Sequence, residues 1–238
     1  MGRHDLLALT GGVSIHMSQR GTAKFIYHLT MSRSRRMITA EYGRDFWKQF
    51  KEISDNRFRE LIAEFPDIGE SMFALNYAYA PGYVAWWNAM EQLGLEQHQC
   101  DVLMLRMNEK MLLTVPKAAL HAVGKSYLKN MQKGARKRMQ NPPAEIHEFD
   151  WDIRYRDRGN GSFDIDIFRC GFIAYTEKYG GRNMLPAICQ VDYMISHYMN
   201  VGFERTGTLG AGCDKCDGKY CLKGQCGWDI EKRLAERR

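Results

Sequence analysis

Residues 149–167 read FDWDIRYRDRGNGSFDIDI and carry the strongest secondary-structure signal of the chain. Apolar and charged residues alternate on both sides of Arg158-Gly159-Asn160-Gly161, and this period of two is typical of half-buried strands. Asn-Gly favours a tight two-residue turn, because both residues tolerate a positive φ. The stretch therefore predicts an antiparallel β-hairpin.

The residues before the hairpin predict a helical layer. Apolar side chains at helical spacing indicate four helices, over residues 45–65, 70–93, 96–113 and 116–139. Pro81-Gly82 is expected to kink or split the second helix, and Asn141-Pro142-Pro143 ends the fourth.

The residues after the hairpin predict a mixture of helices and strands. Helical patterns return at 171–179 and 184–199, and further strands are indicated at 201–208 and around 217–222. We therefore expect an α+β fold, with a helical N-terminal layer packed on a small antiparallel sheet.

The 238 residues predict one main domain. Residues 1–22 indicate a disordered leader rather than a signal peptide, 23–226 the α+β domain, and 227–238 a basic C-terminal tail. No apolar run approaches the roughly 18 residues of a membrane span, so we expect no membrane association. We expect a cytoplasmic location. The sequence leaves the oligomeric state open, and a homo-oligomer is one of the possibilities.

The chain is mildly basic, with 34 Lys and Arg against 28 Asp and Glu and a net charge of +6. Positive residues concentrate at 33–36 and 125–138, where a solvated helix face is favoured over a phosphate-binding surface. We therefore expect no nucleic-acid partner. A mild positive field would instead attract a small anionic substrate.

The richest chemistry lies between Cys170 and Cys226, which contains six of the seven cysteines. Three motifs follow one another in this stretch: Cys189-Gln190-Val191-Asp192-Tyr193, Arg205-Thr206-Gly207-Thr208-Leu209, and a glycine-rich turn at 210–212 that leads to Cys216-Asp217.

This stretch resembles the L-2-amino-thiazoline-4-carboxylic acid hydrolase family, in which we expect Cys-x-x-Asp-Tyr, Arg-Thr-x-Thr-Leu and a glycine-rich turn before Cys-Asp. Short upstream motifs at 79–83, 150–151 and 169–171 also match the family pattern, so the resemblance covers roughly residues 30–220. The chain departs from the family pattern at Gly218, where we expect an aromatic residue.

The resemblance implies a hydrolase-like domain that opens a cyclic isothiourea by attack at the amidine carbon, giving a carbamoyl-cysteine. An amidinium requires a carboxylate, which Asp192 can supply, and a substrate carboxylate requires a guanidinium, for which Arg205 is the candidate. Attack at the amidine carbon requires a nucleophile, either an activated water or a thiolate from Cys170, Cys189 or Cys216. We therefore predict a hydrolase acting on a C–N or C–S bond of a small cyclic compound.

Other residues of the same motifs can assist the reaction. Thr208 and the backbone amides of Gly210 and Gly212 can hold a developing anion, and His197 can assist if the fold turns it inward. Structural interpretations stay open beside these: buried cysteines act as small apolar side chains, glycines make turns, and Asp192 can form a structural salt bridge with Arg205.

The cysteine spacing also supports a second hypothesis. Cys213-x2-Cys216-x4-Cys221-x4-Cys226 has zinc-knuckle spacing, and four thiolates can hold zinc or an iron–sulfur cluster. The fold prediction therefore includes a C-terminal metal knuckle. Under this hypothesis the protein is a non-enzymatic, metal-carrying module that binds a ligand or nucleic acid.

Overall fold

The helical layer precedes the main sheet in the computed structural model, which describes residues 4–5 and 16–236. Two short strands, β1 (His4–Asp5) and β2 (His16–Met17), pair ahead of the first helix. The five helices that follow are α1 (Gln19–Tyr42), α2 (Arg44–Ala63), α3 (Ala74–Gln92), α4 (Gln97–Leu112) and α5 (Lys117–Gln140). Most of the predicted leader 1–22 lies outside the described residues.

Helices α2 to α5 confirm the four predicted helices, whereas α1 is a helix that the sequence analysis missed. The buried face of α1 includes Thr22, Thr30 and Ser34 beside apolar Ile26 and Tyr27. These polar residues interrupt the apolar stripe by which an amphipathic helix is recognised. The burial of α1 therefore depends on its neighbours α2, α3 and α4 rather than on a strong pattern of its own.

Helix α3 lies at the centre of the helical layer and continues through Pro81, so the predicted split does not occur. Trp86, Trp87 and Tyr77 in this helix are fully buried, and the Tyr77 ring stacks on Phe65 with a centroid distance of 4.4 Å. Burial of such large aromatic side chains offsets the hydrogen bond that proline cannot make.

The second half of the chain forms the sheet and the short helices around it. Its elements are β3 (Asp152–Gly159), β4 (Ser162–Arg169), α6 (Gly171–Tyr179), α7 (Leu185–Ile188), α8 (Val191–Tyr198), β5 (Gly202–Glu204), β6 (Cys216–Cys221) and α9 (Ile230–Glu236). The strands run in the order β3-β4-β6-β5 and every neighbouring pair is antiparallel.

The predicted hairpin joins β3 and β4. Asn160 and Gly161 form its turn with φ of 52° and 78°, and the strands pair antiparallel across it, with register shifts next to the turn at 157–159 and at the far end at 152–153. Ile153, Phe163 and Ile165 are buried on one face of the sheet, which packs against the helices in one shared core. The predicted α+β class is confirmed.

Two segments differ in detail from the expected pattern. The helix predicted over 184–199 is divided into α7 and α8, which are separated by Cys189 and Gln190. The segment predicted as a basic tail contains α9, where Leu234 is buried in a cluster with Leu105 and Ala187. None of the helices in residues 16–236 combines the length and apolar composition that a membrane span requires.

Helix α5 contacts the end of α8 at Gly124, where a β-carbon would lie 2.0 Å from the carbonyl oxygen of Met199. Gly134, ten residues further along α5, has more room, since its β-carbon would lie 3.4 Å from Met72 Cβ. We expect Gly124→Ala to lower the free energy of unfolding by about 2 kcal/mol, because backbone must move. Gly134→Ala is the matched control and should raise it by up to about 1 kcal/mol, the gain in helix propensity.

Chemical denaturation of both variants tests this contact. A Gly124→Ala protein as stable as its Gly134→Ala counterpart would show that α5 and α8 do not approach this closely.

Candidate active site

Arg205 follows β5 and is a buried cation, with only 4% of its side chain exposed. Its Nη1 donates to Oδ2 of Asp192 at 2.8 Å, and its Nη2 donates to the carbonyl oxygen of Cys189. The guanidinium also lies over the rings of Phe203 and Tyr193, at 5.3 and 5.6 Å. Burial alone would lower the pKa of Arg205, but the Asp192 carboxylate raises it above the ordinary value, so the group stays charged.

Asp192 lies in the first turn of α8 and is much more accessible than its partner, with 40% of its side chain exposed. Arg205 binds its Oδ2, while no donor among the described residues contacts Oδ1. The structure therefore shows the salt bridge that the sequence analysis left open. It also leaves one carboxylate oxygen accessible to a ligand.

Asp217 on β6 fixes the loop after Arg205 and was missed as a site residue. Its carboxylate accepts hydrogen bonds from the backbone N–H groups of Thr206 and Gly207, both at 2.9 Å, and from the Thr206 hydroxyl. Burial opposes ionisation, yet these donors lower the pKa of Asp217 below its usual value. The Cys-Asp motif was the signal for this residue, although only its cysteine was considered.

Three cysteines lie near one another: Cys170 precedes α6, Cys189 follows α7, and Cys216 begins β6. The N–H of Leu209 donates to Sγ of Cys216 at 3.2 Å. A β-carbon on Gly210 would lie 3.0 Å from Sγ of Cys189, so glycine lets the backbone approach this thiol. The fold therefore brings together the three cysteines that the sequence analysis selected.

Burial determines the protonation of these thiols. It raises the pKa of Cys170 to about 12 and that of Cys216 to about 11, and it also raises the pKa of Cys189. The charge of Arg205, followed by hydrogen bonds from Thr208 and the N–H of Gly210, lowers the pKa of Cys189 but does not reverse the effect of burial, to which the charge of Asp192 adds. All three groups are therefore protonated at neutral pH.

Of the remaining predicted site residues, one lies next to the cysteine cluster and two lie at the protein surface. Thr208 is buried next to Cys189, and its Oγ1 accepts a hydrogen bond from Ala211 N at 3.0 Å. Gly212 is exposed and ends the 3-10 turn with φ of 88°. His197 is also exposed, and its Nδ1 lies 2.8 Å from the carbonyl oxygen of Cys226, so it is not turned inward.

The predicted metal knuckle of Cys213, Cys216, Cys221 and Cys226 is not supported. Cys216 and Cys221 begin and end β6, so their Cα atoms are separated by about 17 Å of extended strand and their side chains lie on opposite faces. Cys213 is exposed, whereas Cys226 is buried with Tyr193 and Phe203. Nor do residues 16–236 contain another cluster of three or more His, Cys, Asp or Glu side chains suited to a metal ion.

Tyr127 on α5 and Tyr220 on β6 lie near Asp192, and Tyr79 on α3 lies near Tyr127. All are half-buried, and their hydroxyls bond to none of the described residues. Burial raises the pKa of Tyr79 to about 12, and burial together with Asp192 raises those of Tyr127 and Tyr220. Side chains that are desolvated yet accessible line a recess.

Two open depressions of the surface lie elsewhere. One, of ≈ 560 Å³, is lined by residues that include Glu41, Arg106 and Glu109, and the other, of ≈ 510 Å³, includes Arg57 and Asn88. Neither contains a cysteine. The nucleophiles, the accessible carboxylate and the unpartnered hydroxyls instead meet at the recess, which we take as the candidate active site.

Comparison with known proteins agrees with the motifs at this site. The family description "L-2-amino-thiazoline-4-carboxylic acid hydrolase" matches residues 87–220, which is more than half of the chain. A search of curated proteins gives no match.

Among solved structures, the crystal structure of Fe(II) unliganded H-NOX protein from K. algicida aligns with 90% of this chain and 98% of its own. Its sequence identity is 11% and its TM-score 0.35, so this likeness carries no argument about function. The family match covers α4 to α8 and most of β6, including Cys170, Cys189, Asp192 and Arg205. The chain therefore belongs to the L-2-amino-thiazoline-4-carboxylic acid hydrolase family.

Proposed function

We propose that this protein is a hydrolase that opens a small cyclic amidine, such as a thiazoline carboxylic acid, by attack at the amidine carbon. Membership of the family supports the reaction class. The observation that carries the proposal is the position of Asp192, which has one oxygen held by buried Arg205 and the other accessible, near the thiol of Cys189.

Asp192 is suited to bind the amidinium of the substrate. The accessible Oδ1 can accept a charge-assisted hydrogen bond from an amidinium N–H. Arg205 fixes the orientation of the carboxylate through Nη1, its Nη2 donates to the Cys189 carbonyl, and only 4% of its side chain is exposed. We therefore assign Arg205 the role of a positioning residue, rather than the direct binding of a substrate carboxylate.

Substrate binding can supply the activation that the free thiol lacks. A cation placed near Cys189 lowers the pKa of its thiol, because an opposite charge favours the thiolate. The sulfur then attacks the amidine carbon, the ring C–S bond breaks, and the proton from Cys189 passes to the departing ring sulfur. We assign the Thr208 hydroxyl and the Gly210 N–H, both near this thiol, the role of orienting the Cys189 sulfur.

Water completes the reaction. It adds to the carbon of the isothiouronium formed on Cys189, and the C–S bond to the enzyme breaks. The water oxygen becomes the carbonyl oxygen of a carbamoyl product, one water proton returns to the Cys189 sulfur, and one proton is released. The sum is one water consumed per ring opened.

The alternative function, a metal-carrying binding module, was supported by the knuckle spacing of four cysteines and by the basic stretch 125–138. Strand β6 separates two of these cysteines by its full length, which removes the support from their spacing. The hydrolase is therefore the function we propose.

Cys189→Ala tests the nucleophile. We expect kcat for a cyclic isothiourea to fall by at least about 10³-fold, because the covalent route is lost, with little change in thermal stability at this half-buried position. Exposed Cys213→Ala is the matched control and should keep normal kcat. Undiminished turnover by Cys189→Ala would exclude this thiol as the nucleophile.

Asp192→Asn tests amidinium binding. Loss of the carboxylate should weaken binding of an amidine by about 10-fold or more and abolish turnover. Its amide oxygen can still accept from Arg205, so we expect a stability loss of only about 1–3 kcal/mol. Isothermal titration and denaturant unfolding separate the two effects.

The control for Asp192→Asn is Asp166→Asn, which removes a carboxylate that binds Lys215 on the other face of the sheet. It should leave amidine affinity unchanged. Equal amidine affinity in the Asp192→Asn protein and the wild type would contradict the binding role.

Alkylation against pH tests the protonation of the thiols. The raised pKa of Cys189 keeps it protonated, so its modification by iodoacetamide should be slow at pH 7 and rise about tenfold per pH unit to pH 9. Cys221 should react first, because hydrogen bonds from the Ser162 hydroxyl and the Lys223 N–H lower its pKa. Peptide mass spectrometry measures both rates, and rapid labelling of Cys189 at pH 7 would show a preformed thiolate.

A further inference from the structure

The tyrosine hydroxyls of the recess are held in place by ring packing. Tyr79 lies 5.4 Å from the ring of Tyr83, whose own hydroxyl donates to Asn108. Tyr220 packs against Phe163 and Phe203, with centroid distances of 5.2 and 4.9 Å. A side chain fixed in this way loses little conformational entropy when its hydroxyl binds a ligand.

Gly218 makes room for one of these hydroxyls. A β-carbon at this position would lie 3.0 Å from Cε2 and 3.3 Å from the hydroxyl oxygen of Tyr220. The Tyr220 side chain therefore extends along β6 over a residue without a side chain, at the position where the family resemblance implies an aromatic. In this chain Tyr220, rather than a residue at position 218, places an aromatic ring over this part of the strand.

The recess has two chemically different ends. Asp192 supplies a negatively charged acceptor, whereas Tyr127, Tyr220 and Tyr79 supply neutral hydroxyls that remain protonated and can donate. Arg205 donates to Asp192 and to the Cys189 carbonyl, and its remaining Nε is buried away from the surface, whereas the hydroxyls of half-buried Tyr127 and Tyr220 are accessible donors near Asp192. An acceptor beside a group of donors complements a small zwitterion.

We propose that Tyr127 and Tyr220, with Tyr79 beside them, bind the carboxylate of the substrate while Asp192 binds its amidinium. This inference rests on the proposed function and deepens it. It makes the tyrosines the residues that determine specificity for the carboxylate of that substrate.

The test compares two probes, 2-amino-2-thiazoline-4-carboxylate and 2-amino-2-thiazoline, which lacks the carboxylate. Titration calorimetry uses the Cys189→Ala protein so that hydrolysis does not disturb the measurement. We expect the carboxylate compound to bind about tenfold more tightly or better, as hydrogen bonds to a charged group predict. Adding Tyr127→Phe and Tyr220→Phe together should abolish this preference, with the affinity for 2-amino-2-thiazoline unchanged within about twofold.

Matched variants keep the test decisive. Tyr198→Phe removes a hydroxyl that donates to Glu109 at 2.6 Å and makes no such contact with the recess, so it should preserve the preference. If the double variant fails to fold, each single Tyr→Phe variant should still reduce the preference by about threefold.

The possible outcomes distinguish the two proposals. A carboxylate preference that survives both substitutions would overturn the tyrosine assignment and leave the proposed function intact. Failure of both probes to bind the wild-type protein would overturn the proposed function, and the inference with it.

Discussion

The architecture of the site depends on one buried cation. A guanidinium removed from water is costly unless its charge is balanced and its donors are satisfied. Arg205 balances its charge with the Asp192 carboxylate and donates to the Cys189 carbonyl, and it packs on two aromatic rings, all within 16 residues of it in the chain; its Nε is buried without a partner among the described residues. Satisfying this one side chain therefore fixes where α7 ends, where α8 begins and how β5 leaves the sheet.

The same enclosure makes the thiols poor nucleophiles until a substrate arrives. Burial favours the neutral form of Cys189, and the charge of Arg205 is already balanced by Asp192. A cationic substrate changes this balance, since it brings positive charge without a counterion to the accessible oxygen of Asp192. The arrangement links recognition to activation and protects the thiols from indiscriminate oxidation or alkylation.

Sequence analysis succeeded where the determining interactions are local. The Asn-Gly turn specified the hairpin, and the short motifs with Cys189, Asp192 and Arg205 lie together in the structure, while their roles stay a prediction. It failed where tertiary structure decides: polar residues on the buried face concealed α1, and the knuckle spacing assumed a compact loop where the chain forms an extended strand. Tyr127 could not be recognised either, because its hydroxyl joins the site only when α5 packs near β6 and α8.

Strand β6 places two adjacent residues of one motif on opposite faces. Cys216 lies buried on the inner side with the nucleophiles, while Asp217 faces the other way and holds the loop that carries Arg205. Because side chains alternate along a strand, a shift of one residue would exchange the thiol and the carboxylate. Substitutions along this strand can therefore be tolerated. A one-residue insertion or deletion before Cys216-Asp217 cannot, because it would move the thiol off the inner face and separate the carboxylate from the loop that it holds.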